Sequence, residues 1–291
     1  MFAAPFDYYR AGSIAEAQQL LRRHPGAKLL AGGHSLIPLM KMRLATPAAL
    51  VDIGRIPDLK GISSSGSTLR IGALTTHAEL AASSALTTAC PMLAEAGAVV
   101  GDAQVRNVGT IGGNIAHADP ASDLPTVLLA LDATIHAVGP KGERTIPVAQ
   151  FFQGMMTTAL GPDEILTAID VPSKQAGQGM AYVKFSHPAS RYAVIGAAAV
   201  ITSNGGKDGT CTAARVAIGG LLPAPVRCAG VERAIEKQRI SPESVQRAAA
   251  EVSRVLNDDL MGDIFASAEY RKAMAPVYIG RALTAASART A

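Results

Sequence analysis

Two short segments in the first half of the chain carry residue types suited to holding a phosphate-bearing ligand. The first runs Lys28-Leu29-Leu30-Ala31-Gly32-Gly33-His34-Ser35-Leu36, and the second, about eighty residues further on, runs Thr110-Ile111-Gly112-Gly113-Asn114. Each sets a glycine pair behind an apolar run that reads as a strand, with a small hydroxyl residue alongside. Glycine admits positive φ and lets another group come close to the backbone. Successive exposed N–H groups in such a turn form a concave anion site. One such turn is commonplace, but two in one domain can grip both phosphates of a dinucleotide. The hydroxyls of Ser35 and Thr110 add donors to that grip.

The elements that must position these turns follow from periodicity. Residues 13–23 read as a helix with Ser13 and Glu16 as a capping box, Ile14, Ala17, Leu20 and Leu21 on one face, and Pro25-Gly26 as its end. Residues 28–31 read as a strand feeding the first turn, and residues 35–41 as a helix with Pro38 near its first turn. Residues 50–53 and 69–73 are strand candidates, with serine-rich 63–67 as a turn. From Thr76 to Val99 the spacing is helical. Residues 123–130 form a short apolar segment, 134–138 and 145–147 a hairpin, and 165–171 a strand ended by Pro172. Composition shifts over residues 172–179, which marks a domain boundary. Beyond it, residues 180–186, 193–202 and 212–218 read as antiparallel strands, with 204–209 as a hairpin loop. Residues 241–256 and 267–286 read as helices packed on that sheet. The whole is an α+β chain.

Composition narrows the function. The chain has 291 residues, 48% hydrophobic and 17% charged, and a net charge of +4 without any Lys/Arg run. That argues against nucleic-acid binding and is compatible with an anionic ligand. Cys90, Cys211 and Cys228 are widely separated with no C-x-x-C pair, so this chain alone builds neither a zinc ribbon nor an iron–sulfur cluster. They read as small core hydrophobes in a reducing compartment. No signal-peptide pattern and no apolar run of roughly twenty residues is present, which predicts a cytoplasmic protein without a membrane span.

From about Phe6 to Arg289, and most specifically in residues 31–38 and 110–114, the chain resembles the FAD-binding medium subunits of the xanthine dehydrogenase and carbon monoxide dehydrogenase family of molybdenum hydroxylases. The resemblance implies a two-subdomain FAD-binding domain of the PCMH type, also seen in vanillyl-alcohol-oxidase-like enzymes, over residues 1–174. Its subdomains would be about 1–56 and 57–174, followed by a CO-dehydrogenase-flavoprotein-like sheet-and-helix domain over 175–291. It further implies non-covalent FAD. Lys28 to Leu36 would wrap the pyrophosphate and ribityl chain, and Thr110, Ile111, Gly112, Gly113 and Asn114 would close from the other subdomain. Asp123 matches a cofactor-binding aspartate, Leu166 an apolar contact and Lys184 a lysine from the C-terminal domain. Val100 stands where some members place an aromatic, and Tyr192, in the loop 186–192, would shield the isoalloxazine ring.

Molybdopterin would then sit on a large partner subunit and two [2Fe-2S] clusters on a small one, in a dimer of heterotrimers. Electrons would pass through FAD to an external acceptor such as a quinone, oxygen or NAD. Substrates in that family include carbon monoxide, aldehydes, purines and N-heterocycles.

Two other readings are open to the same residues. A self-contained flavin oxidase would carry its own substrate pocket and could attach flavin through His34. A nucleotide-binding assembly module would have no redox role. Asp102 and Arg106 read as an ion pair or interface contact. His117 and Asp119 read either as an acid–base pair or as loop structure, and His187 as a positional residue.

Overall fold

In the computed structural model, which describes residues 2–256 and 258–290, the N-terminal segment forms a small parallel sheet. Strands Asp7–Arg10, Lys28–Leu30 and Ala49–Asp52 pair in the order first, third, second, all parallel. Parallel neighbours need crossovers, and helices Ile14–Arg23 and Leu36–Lys41 provide them. The Ser13 hydroxyl accepts the Glu16 N–H to start the first helix, which buries Ala17 and Leu21 in a cluster with Val51, Ile53 and Ile56. Asp7–Arg10 has no apolar alternation to reveal it in sequence, because it is a largely exposed edge strand held by backbone pairing.

The second sheet has five antiparallel strands in the spatial order Ile62–Ser65, Thr68–Gly72, Ile165–Pro172, Thr134–Gly139, Gly142–Pro147. The serine run expected as a turn is instead the edge strand Ile62–Ser65, and the turn shrinks to Gly66 and Ser67, with Gly66 at φ +59°. Ser residues are poor strand formers, but an exposed edge asks only for backbone pairing. The helical stretch after Thr76 is three helices, His77–Ala82, Ser84–Ala89 and Pro91–Val99. It breaks where the Ser83 hydroxyl caps Leu86 N–H and where Pro91 starts a new first turn. Helices Ala103–Val108, Ile111–His117 and Asp123–Ala130 complete this part, and every residue of Asp123–Ala130 is buried.

Strands Gln178–Ser186, Ala193–Asn204, Thr210–Gly219 and the short Val226–Arg227 form a third, antiparallel sheet. Helices Ala229–Ile235, Pro242–Ala250 and Ala268–Ser287 pack on one face of it. The expected helix 241–256 ends at Ala250 and tightens into a 3₁₀ turn, Glu251–Val255. The other sheet face presents Met180, Ala198, Val200 and Ala217 to the core of the second sheet. Ala193–Asn204 is therefore buried on both faces, which is why it reads as an unbroken apolar run. Among the described residues, no helix is long and apolar enough to cross a membrane.

Candidate cofactor site

A cavity of about 850 Å³ lies where the first sheet, the second subdomain and a loop of the C-terminal domain converge. One wall is the turn between strand Lys28–Leu30 and helix Leu36–Lys41, with Gly33 at φ +72°. Among the described residues, no acceptor takes the backbone N–H of Gly32, Gly33, His34 or Ser35. These four donors line the cavity unengaged, in an arrangement suited to an anion.

The second glycine segment works differently from the first. Helix Ala103–Val108 precedes it rather than a strand, and residues 111–113 are the first turn of helix Ile111–His117. Its N–H groups are used inside the fold: Ile111 donates to Thr75 O at 2.9 Å, Gly112 to Ala73 O at 2.8 Å and Gly113 to Thr110 Oγ1 at 3.2 Å. The glycines serve close approach instead. A Cβ on Gly112 would lie 2.5 Å from Ala73 Cβ, and one on Gly32 would lie 2.2 Å from Val108 O. The first turn thus abuts the chain just ahead of the second. What the second segment offers the cavity is bare backbone surface and the Asn114 amide, whose Oδ1 is held by the Ser122 hydroxyl at 2.8 Å.

Of the residues expected at the site, Lys28, Leu29, Leu30, Ala31, Gly32, Gly33, His34, Ser35, Leu36, Val100, Thr110, Gly112, Gly113, Asn114, Asp123, Leu166 and Tyr192 all line the cavity. Ile111 and Lys184 do not. Ile111 is fully buried and turns into the core beneath its helix. Lys184, on strand Gln178–Ser186, donates to Asp123 Oδ2 at 2.8 Å and to Val99 O at 3.1 Å. Tyr182 on the same strand donates to Asp123 Oδ1 at 2.7 Å. Burial pushes the Asp123 carboxyl up from its ordinary range while Lys184, then Tyr182, pull it down. Lys184 thus holds the cavity wall from behind.

Tyr192 stands at the cavity mouth and is 43% exposed. Burial raises its phenol pKa, the charges of Asp119 and Asp123 raise it further, and a hydrogen bond with Ser35 lowers it. The C-terminal loop therefore comes up beside the first turn, and both line the cavity. His187 shapes this loop as expected: its Nδ1 accepts the N–H of Ala189 at 3.2 Å and of Ser190 at 3.3 Å, and its ring meets Phe265 edge-on.

Of two candidate pairs, neither is joined side chain to side chain. Asp102 caps its helix by accepting Val105 N–H, while Arg106 donates to Val100 O and Gly101 O and braces the Val100 wall. His117 lines the cavity, but Asp119 is occupied with Ala121 N–H and no hydrogen bond joins the two. Sequence reasoning missed His77, Pro162 and Asp163, which also line the cavity. The Thr76–Glu79 capping box that the structure shows marks only a helix start, and nothing local in the sequence places His77 beside Thr110.

The described residues include no cluster of three or more His, Cys, Asp or Glu able to hold a metal ion. All three thiols are buried, which pushes Cys90 and Cys228 up to about 12 and Cys211 up to about 11.

Residues 4–174 match the family described as the FAD binding domain in molybdopterin dehydrogenase, and residues 180–286 match the CO dehydrogenase flavoprotein C-terminal domain. The chain belongs to this flavoprotein family. Its sequence is 40% identical to the carbon monoxide dehydrogenase medium chain of Hydrogenophaga pseudoflava, over 100% of both chains. It is 38% identical to the 6-hydroxypseudooxynicotine dehydrogenase complex subunit alpha of Paenarthrobacter nicotinovorans, over 97% of this chain and 94% of the relative. Its fold superposes on a solved Hydrogenophaga pseudoflava carbon monoxide dehydrogenase lacking the Mo-pyranopterin moiety, with a TM-score of 0.95, 41% identity and full coverage of both chains. The family's cofactor suits the cavity. Free backbone donors at residues 32–35 match a pyrophosphate, and apolar Leu29, Val100 and Leu166 match the rest of a dinucleotide.

Proposed function

We propose that this chain is the FAD-carrying electron-transfer subunit of a heterotrimeric molybdenum hydroxylase. The observation that carries this reading is the four-donor turn at residues 32–35, set in a cavity that two subdomains and the Tyr192 loop enclose. Bound FAD supplies a carrier that takes electrons singly or in pairs. The chain's own residues bind and orient it. The turn 32–35 holds the anionic centre, Asn114 and Asp123 offer polar groups, and Tyr192 covers the mouth. Residues 1–174 form the FAD domain, with subdomains of about 1–56 and 57–174, and residues 175–291 form the domain that closes it.

The relatives this chain resembles are named as a medium chain and as a subunit of a dehydrogenase complex, which supports partners for the chemistry of substrate. A small [2Fe-2S] subunit delivers the electrons and a large molybdopterin subunit oxidises the substrate, in a cytoplasmic dimer of heterotrimers. The relatives are named for carbon monoxide and for 6-hydroxypseudooxynicotine, so one flavoprotein design accompanies different substrate subunits. Carbon monoxide, an aldehyde, a purine or an N-heterocycle would suit the complex, and a quinone, oxygen or NAD would suit the acceptor side.

The test is native affinity purification of the chain from its own cells, read by mass and by absorbance. The expected result is one large and one small companion, with flavin and iron–sulfur bands. A chain that emerges alone, yellow and oxidising an added substrate overturns the relay reading in favour of a self-contained flavin oxidase.

A further inference from the structure

Arg271 lies in the first turn of helix Ala268–Ser287 and is 5% exposed. An arginine is almost never buried this deeply without partners, and a cation at a helix N-terminus opposes the helix dipole. Its contacts say what offsets both effects. Nη1 donates to Gly220 O at 2.6 Å and to Val194 O at 3.3 Å, Nε to Ala266 O at 3.1 Å, and Nη2 to Asp263 Oδ2 at 2.5 Å. One side chain thus gathers three separate stretches of the chain.

All three stretches bear on the loop that carries Tyr192. The ladder between strands Ala193–Asn204 and Thr210–Gly219 ends at the pair Gly196 and Gly219. Val194 O and Gly220 O lie just past that pair, and Nη1 bridges them where the next rung would stand. Gly220, at φ +88°, packs so close that a Cβ would lie 2.7 Å from Ala193 O. The same two stretches reach the FAD-binding domain: Ala193 N–H donates to Ala121 O at 2.9 Å and Gly220 N–H to Pro120 O at 3.1 Å. The third stretch supports the loop from its other end. Asp263 Oδ1 accepts the N–H groups of Phe265 and Ala266, both at 2.8 Å, and the Phe265 ring meets His187 at 4.8 Å. His187 N–H closes the loop by donating to Tyr192 O at 2.8 Å. Tyr192 therefore hangs between two anchors, Ala193 and His187, and both lead back to the same guanidinium. We propose that Arg271, which does not itself line the cavity, is a positioning residue of the cofactor site that fixes the place from which Tyr192 covers the flavin ring.

This inference rests on the FAD reading and deepens it. The complex, purified with its partner chains and stripped of flavin, is titrated with FAD and with ADP, which shares the pyrophosphate but lacks the ring. Tyr192→Ala removes the cover and is expected to weaken FAD roughly tenfold while leaving ADP unchanged. Arg271→Lys, whose compact ammonium cannot span the four acceptors, is expected to reproduce most of that loss, again for FAD alone. Asp263→Asn is the milder variant, because the Asp263 side chain is 45% exposed. It keeps the Oδ1 acceptor, turns a donor toward the guanidinium, and is expected to weaken FAD about threefold. In the Tyr192→Ala background neither variant is expected to weaken FAD further, since the residue through which they act has gone. Should Arg271→Lys fail to assemble, Asp263→Asn decides by itself. Wild-type FAD affinity in every assembled variant of Arg271 and Asp263 overturns the proposal. So does an equal loss of FAD and ADP, which marks general loosening, and so does a loss that persists undiminished without Tyr192. A wild-type complex that takes up no FAD instead removes the parent reading.

Discussion

Lys184 serves the cavity from outside it. Its ammonium and the Tyr182 hydroxyl occupy both oxygens of a carboxylate that is itself 3% exposed. Removing the cation would leave Asp123 buried with a lone phenol donor. Lys184→Met is expected to cost about 3–5 kcal/mol in urea unfolding, and Lys184→Met combined with Asp123→Asn should recover most of that. The residue type and its approach from the second domain were legible through family resemblance. Its target was not, because sequence carries no side-chain direction.

His77 was invisible for a related reason: only a long-range bridge, Thr76 to Thr110, brings it to the site. Its folded pKa of about 4 lies below the 6.5 of a free histidine. Between those values the unfolded chain binds the proton and the folded one does not, so stability falls as pH falls. Titrations of the cofactor-free protein should lose roughly 3 kcal/mol across that window from this residue alone. His77→Leu should flatten that part of the profile.

At the scale of elements, the glycine segments show where pattern reading succeeds and where it misleads. Strand, turn and helix around residues 28–41 were legible because apolar run, glycine pair and hydroxyl follow one another in the order the backbone uses. The second segment imitates that order, yet Ile111 and Ile115 are four apart and both fully buried, the spacing of one helix face. Two glycines in the first helical turn disguised it, since glycine is a poor helix former. Their value is contact distance. Gly32→Ala would push a methyl group into the Val108 carbonyl and the Gly109 backbone, 2.2 and 2.9 Å away. It should destabilise the protein by about 1–3 kcal/mol and abolish flavin retention on a desalting column. Gly12→Ala, whose methyl group would meet only Glu16 Oε2 at 3.5 Å, should leave both unchanged.

For the whole molecule, the α+β class and the succession of sheets follow from local periodicity, but the sharing of cores between them does not. Met180, Ala198, Val200 and Ala217 lie in the C-terminal sheet and pack into the core of the second sheet. Such contacts join residues far apart in the chain, so no window of sequence displays them. A fragment ending at residue 174 would expose that face and lose Tyr182, Lys184 and Tyr192 together. It should bind a hydrophobic dye such as ANS strongly and retain no FAD, whereas the full chain in its complex does the reverse.

The three sulfhydryls have a practical consequence. Cys90 sits in the core under the second sheet, and Cys211 and Cys228 sit between the C-terminal sheet and its helices, all at 0% exposure. The native surface therefore offers an alkylating reagent no cysteine, and any peroxide formed as a reduced flavin meets oxygen finds no thiolate to consume it. Each sulfur acquires a label only when its own layer opens. The chain thus carries internal timers, one in the flavin half and two in the closing half, that record which half lets go first.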